Sequence, residues 1–354
     1  MAVTALSMIL LAQQYNHEVI RQVNRRAITL SILRKTIGAG KNVTIPFELS
    51  GQGAQEYNEG ADTSTFAQDT QAGGILNWGL YEAPVSITNL AVDAAGTTTA
   101  GPQGNEDIWG RQLANGAAAT CSVINQHLFT GTGSGTGSAP TIVGFGTALG
   151  STTNTYATFD RSQGTYALLR PNVTDPGSTT TLTIAQIRAD LAACYINGGS
   201  RPDVALVKPG VFNTVAALLD PLRRMETETV QVAGAPVNLA YKVSTLVIDG
   251  CTFIEDKDAS LSGDSSVLGS IIYLNSDYVE VELLMPALNK AAYAMLAGKG
   301  VIPAQDGNSL LNMSMYFEPL AKTGSAFKGR AALTAQLKCL RPNSMGVRRN
   351  ITIT

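Results

Sequence analysis

The chain has 354 residues, of which 44% are apolar, only 15% are charged and 35 are glycine, with a formal net charge of −2. Ordinary soluble chains carry roughly 25% charged residues. Normal hydrophobicity with low net charge excludes a disordered chain, and so few charges predict a protein that hides much of its surface against other chains.

Residues 1–35 are predicted as helix, because Leu6, Ile9, Leu10, Gln13, Val19, Ile20 and Val23 recur at helical spacing. Arg21, Arg25 and Arg26 fall near one polar face, and Gly38 and Gly40 stop the helix. The apolar run Ala5 to Ala12 is far shorter than the ~18–20 residues that span a bilayer. It also lacks the basic start of a signal peptide, so neither membrane contact nor secretion is expected. Residues 43–49 alternate, with Val43, Ile45, Phe47 and Leu49 on one side, and predict a strand with one buried face. Pro46 puts it at an edge. A polar stretch, 50–74, follows. The chain returns through Leu76, Trp78, Leu80, Val85, Ile87 and Leu90, which predicts one long hairpin over 43–92. Fully extended, half of that span reaches up to ~80 Å, well beyond the ~20 Å radius of gyration of a compact chain this long.

Residues 103–129 are predicted as the longest helix, with a stripe of Ile108, Leu113, Ala117, Cys121, Ile124 and Leu128. Residues 131–181 are biased to Gly, Ser and Thr and are expected to form a flexible connection or exposed insertion. From 183 to 300 the texture is α/β: a helix through Ile184, Ile187, Leu191 and Tyr195, a strand at 204–207, a helix at 211–219, and strands at 246–248, 252–254, 271–274 and 278–284. Asp249-Gly250 is a strong hairpin-turn signal. Strands are also expected at 311–317, 333–340 and 347–353.

Chemistry-bearing patterns are sparse. The only histidines are His17 and His127, and Cys121, Cys194, Cys251 and Cys339 lie far apart. Neither metal spacing nor a disulfide scaffold results, and free buried thiols are expected. There is no G-x-S-x-G elbow, no phosphate loop, and the Gly131–Gly137 run is not a dinucleotide fingerprint. Asp256, Asp258 and Asp264 superficially resemble a calcium loop, but Leu261 stands where glycine is needed and Val267 where the terminal glutamate belongs. A solvated acidic loop is the better reading. No catalytic residue, metal or cofactor is expected. Charge is segregated: 1–41 carry +5, 322–354 carry +7 and 42–321 carry −14. Three readings of the basic ends stay open: contact with a polyanion, contact with a neighbouring copy's acidic middle, or folding back on their own body.

The element order, together with RPDVALVKPGVFNTVAALLD (201–220), VIDGCTFIEDKDA (247–259) and GSIIYLNSDYVEVEL (269–283), resembles the major capsid proteins of tailed phages, the Hong Kong 97-type α+β fold. The resemblance implies an N-terminal arm at 1–42, an E-loop hairpin at 43–95, a spine helix and peripheral domain at 96–181, an axial domain at 182–300, and C-terminal peripheral strands at 301–354. It implies no enzyme but a subunit that self-assembles through pentamers and hexamers into an icosahedral virion shell in the host bacterial cytoplasm. That shell would enclose double-stranded DNA touched non-specifically. Trp78, Leu80 and Tyr81 are expected to anchor the E-loop on a neighbouring subunit, and Arg21, Arg25 and Arg26 to bind neighbours or DNA. Scaffolding, cement and portal proteins are the further partners. A separate scaffold is expected, because the chain begins directly with the arm. No lysine occurs between Lys41 and Lys208, so the isopeptide crosslink made by the prototype's E-loop lysine is not expected. Encapsulins share the fold and are the alternative shell. A carbohydrate-binding surface protein is the alternative from another class, suggested by the Gly/Thr/Ser-rich middle.

Overall fold

The computed structural model describes residues 27–50, 59, 70–89, 108–134, 139–219, 228–232, 235–239, 246–286, 311, 314–321 and 324–353. The described part opens with a short helix, α1 (Ile28–Ile32), then strands β1 (Arg34–Ile37), β2 (Val43–Ser50), β3 (Thr70–Leu76) and β4 (Gly79–Thr88). The long helix α2 (Ile108–Thr130), helix α3 (Phe145–Ala148), and short strands β5 (Thr155–Tyr156), β6 (Phe159–Asp160) and β7 (Asn172–Thr174) follow. Next come α4 (Ile184–Gly198), β8 (Val204–Val207), α5 (Pro209–Leu219), β9 (Glu228–Val232), β10 (Ala235–Leu239), β11 (Leu246–Ile248), β12 (Cys251–Glu255), β13 (Leu268–Leu274) and β14 (Val279–Leu283). The last strands are β15 (Tyr316–Leu320), β16 (Ala326–Cys339) and β17 (Gly346–Thr352).

Two sheets organise the body. A six-stranded sheet runs β11-β12-β8-β13-β17-β7, and a five-stranded sheet runs β1-β14-β16-β15 with β4 also on β16. In the six-stranded sheet, successive residues take opposite faces. Ala205, Val207, Ile271, Tyr273 and Ile351 pack with Ile187, Leu191, Val211 and Val215 of α4 and α5. Leu206, Ile272, Leu274 and Val347 face the larger core shared with Val281, Leu283, Leu333 and Leu337 of the five-stranded sheet and Ile124 and Leu128 of α2. Burial on both faces explains why these strands read as continuous apolar runs. At the β11–β12 turn, Asp249 and Gly250 both have positive φ, 49° and 85°, as a two-residue turn of this hand requires. Helix α4 is fixed by a capping box, Thr183 with Gln186.

Several expectations change. The N-terminal helix ends at Ile32, because residues 34–37 pair in parallel with Glu280–Leu283 as β1. The part of the arm before residue 27 lies outside the described residues. The hairpin is shorter than expected: β2 and β3 pair from Val43–Leu76 to Ser50–Thr70, and the rest of the returning arm, 79–88, leaves it. As β4 it pairs over its whole length with β16, from Gly79–Ala335 to Thr88–Ala326, because ten consecutive ladder partners outweigh those of an isolated two-stranded hairpin.

The segment expected as a flexible insertion contributes several core residues, although 153–155, 162–165 and 175–179 are exposed. Ile142, Phe145, Ala148, Leu149, Tyr156 and Arg161 have at most 1% exposure. Sheet membership also crosses the expected division of the chain. Residues 346–352 join the six-stranded sheet beside β13 and 172–174 join it beside β17, whereas 279–283 belongs to the five-stranded sheet.

Candidate subunit interface

Trp78, Leu80 and Tyr81 sit where β3 gives way to β4, and the three side chains have different fates. Trp78 is 7% exposed and its indole N–H donates to the Gly40 carbonyl at 3.2 Å. Tyr81 is 8% exposed. Its hydroxyl oxygen accepts from the Ile142 N–H at 3.0 Å and lies 3.0 Å from His127 Nδ1. Burial pushes the Tyr81 phenol up to about 12. Leu80 points the other way on the strand and is 56% exposed, while its backbone N–H donates to the Pro140 carbonyl. Trp78 and Tyr81 are therefore packed into their own chain, and Leu80 is the one of the three that offers apolar surface outward. Beside it opens a cavity of about 420 Å³ lined by Leu80, Tyr81, Glu82, His127 and Pro140 among others. Arg21, Arg25 and Arg26 lie outside the described residues.

The positive charges of the C-terminal segment are largely consumed by the body. Arg330 bridges Glu82 and Glu318, each at 2.6 Å. Lys338 sits between Glu280 at 3.1 Å and Glu282 at 2.8 Å. Burial pulls the Lys338 ammonium down, but hydrogen bonds to Glu282 and Glu280 outweigh it and hold its pKa above the usual value. Arg348 makes a bidentate pair with Asp190, Nε–Oδ2 2.5 Å and Nη2–Oδ1 2.8 Å. The Tyr273 hydroxyl and Thr174 hydroxyl also donate to that carboxylate. Arg341 lies over the Tyr278 ring at 5.4 Å. For these residues the third reading of the basic ends holds: they fold back on their own chain.

Two buried polar clusters escaped the sequence reading. Arg161, with no exposed surface, donates to four backbone carbonyls, those of Asn154, Ala148, Thr147 and Leu169, and stands 5.6 Å from the centre of the Tyr156 ring. Burial lowers its pKa to about 10, so it stays a cation at neutral pH. Nothing in the sequence separates this arginine from the others. In the second cluster, Asp256 accepts from the Thr29 N–H at 2.9 Å and its hydroxyl at 2.6 Å, and from Asn125 Nδ2. Asn125 Nδ2 also reaches Asp258, and its Oδ1 accepts from the Leu30 N–H. The acidic loop is thus partly buried rather than solvated, and its carboxylates bind the start of the described chain to α2. Among the described residues no group of three or more His, Cys, Asp or Glu has the arrangement of a metal site.

A long helix laid against the five-stranded sheet, with a two-stranded hairpin ahead of it, is the arrangement of the Hong Kong 97-type capsid fold. Solved structures agree on that fold. The cyanophage A-1(L) capsid chain aligns with TM-score 0.68 at 16% identity, over 99% of this chain and 100% of that one. The capsid chain of a native GTA particle aligns with TM-score 0.58 at 10% identity, over 96% and 95%. An encapsulin complex from Synechococcus elongatus PCC 7942 aligns with TM-score 0.53 at 12% identity, over 98% and 96%. No curated protein matches the sequence. The profile of the family described as SU10 major capsid protein matches residues 48–352. The chain belongs to that family and is a major capsid protein of the tailed-phage type.

Proposed function

We propose that copies of this chain meet as pentamers and hexamers in an icosahedral shell around double-stranded DNA, with each hairpin resting on a neighbouring subunit. One observation carries the reading. A chain of a major capsid family, matched over 48–352, leaves Leu80 56% exposed on β4, although the described stem of its hairpin packs Val43, Ile45, Phe47 and Leu76 into its own core. Leu80 is the apolar anchor in this proposal. Arg330, Lys338 and Arg348 are engaged internally, and Arg21, Arg25 and Arg26 are the residues proposed to contact DNA or neighbours. Replacing all three with Ala lowers genome content or shell yield; unchanged values of both would remove them from the account. A separate scaffolding protein guides assembly in the host cytoplasm, a portal admits the genome, and cement protein or interlocked arms supply strength without covalent crosslinks.

Negative-stain microscopy of purified protein, with nucleic-acid content measured on the same particles, tests the whole. Closed shells that package DNA support it. Shells filled with a protein cargo would instead favour the encapsulin-like reading, which the structural likeness to the Synechococcus complex keeps in view. Monomers or trimers that bind glycans would overturn both.

A further inference from the structure

We propose that Tyr81 and His127 form an acid-sensitive latch, which joins β4 to the end of α2 and the 139–143 segment while the imidazole is neutral and weakens when it is protonated. The Tyr81 oxygen already accepts the Ile142 N–H. A phenol oxygen that accepts one hydrogen can accept another, but the Tyr81 hydrogen needs an acceptor of its own, and His127 Nδ1 stands beside it at 3.0 Å. In the latch Nδ1 is that acceptor, with the ring proton on Nε2. The rings stand 5.5 Å apart, tilted by 53°. One hydroxyl thus ties together a strand, a helix end and a loop.

A proton added at Nδ1 turns the acceptor into a donor. The Tyr81 hydroxyl, in a side chain only 8% exposed, then loses its acceptor. A buried donor without a partner is costly. The open cavity beside His127 gives protons access.

The surroundings do little to favour the cation. From β4 the groups lining the cavity are Tyr81 and Glu82. Glu82 leaves the strand by the opposite face from Tyr81 and is paired with Arg330. The lining from 130–134 and 139–141 is Thr130, Gly131, Thr132, Ser134, Ala139, Pro140 and Thr141, none of them charged. A helix C-terminus normally favours a cationic histidine. Here the Gly131 N–H and the Thr130 hydroxyl take the carbonyls of His127 and Gln126, which reduces that attraction. Burial accordingly lowers the His127 pKa from its ordinary value of 6.5. The folded chain then binds fewer protons than the unfolded one, so stability is full above that value and declines as the pH falls below it.

Few other groups titrate there. Exposed carboxylates protonate near ~4, and burial pushes the Cys194, Cys251 and Cys339 thiols up to about 12. The two histidines can therefore be compared directly. The experiment follows the melting of the full-length protein from pH 8 to pH 5 for the unaltered chain, His127→Gln and His17→Gln. The unaltered chain and His17→Gln are expected to lose stability on acidification, and His127→Gln to lose that slope, because its amide oxygen still accepts from Tyr81 but takes no proton. An unchanged slope in His127→Gln, or a slope removed by His17→Gln, would overturn the latch. If His127→Gln fails to fold, the carbon resonance of labelled His127 in the unaltered chain decides. A midpoint below that of a free histidine supports the proposal, and one at or above it refutes it.

Discussion

Arg161 shows how much a single buried cation can organise. Its guanidinium collects four carbonyls from 147–169, a task that suits a planar fork and defeats a single ammonium. Arg161→Lys should therefore lower the melting temperature almost as far as Arg161→Met. Both are expected to cost about 3 kcal/mol or more in chemical denaturation, because buried carbonyls lose their donors. A Lys variant as stable as the original would contradict the carbonyl-cage account. Asp190 and Arg348 form a second buried charge site, where each is under a tenth exposed. Removing only one charge, as in Arg348→Ala, is expected to cost about 3–5 kcal/mol, whereas exchanging both partners for apolar residues of similar size recovers much of the loss. A double-mutant cycle on denaturant midpoints measures the difference.

The elements explain which parts of the fold were legible beforehand. Strand β2 was plain because alternation is local: Val43, Ile45, Phe47 and Leu49 are all buried and the residues between them are not. Helix α2 and the 249–250 turn were equally local signals. Strand β1 was hidden because its partner is 246 residues away, Arg34 opposite Glu280, and nothing near Arg34 announces it. The 139–170 segment was misread because its aromatic residues are spread among Gly, Ser and Thr without any period, and its shape is set instead by the Arg161 cage. The candidate site was half legible: the resemblance implied Trp78, Leu80 and Tyr81 as anchors, but only packing separates the outward residue from the two inward ones. The stem of the hairpin depends on one close approach, since a Cβ on Gly74 would stand 2.8 Å from the Ala157 Cβ. Gly74→Val should push the hairpin off the 155–159 segment and break the Ile75 N–H bond to the Ala157 carbonyl. Faster amide exchange at Ile75 would report it, and unchanged protection there would show that the contact is dispensable.

At the scale of the whole molecule, surface and core make separate predictions. Leu80→Asp should leave the melting of the isolated subunit within about 0.5 kcal/mol, yet weaken subunit contacts by about 2 kcal/mol or more if this leucine is a hot spot. Sedimentation of assembled against free protein reads the effect, and full shell yield would release Leu80 from the interface. Denaturing gels of shells should show a single band at the subunit mass; a ladder would mean a covalent link that the hairpin's lack of lysine does not foresee.

Strand β17, inserted between β13 and β7 in the six-stranded sheet, sets how late in synthesis that sheet can close. A ribosome that has finished β13 still has to deliver more than seventy residues before that strand gains its second neighbour, and β4 likewise waits for β16. Such long-range closure is slow, so nascent chains remain incomplete until translation passes residue 352. A product halted after Cys339 should be captured by chaperones or aggregate rather than join a growing assembly. The topology thereby acts as an inspection step, admitting finished copies and keeping prematurely terminated ones out of the lattice.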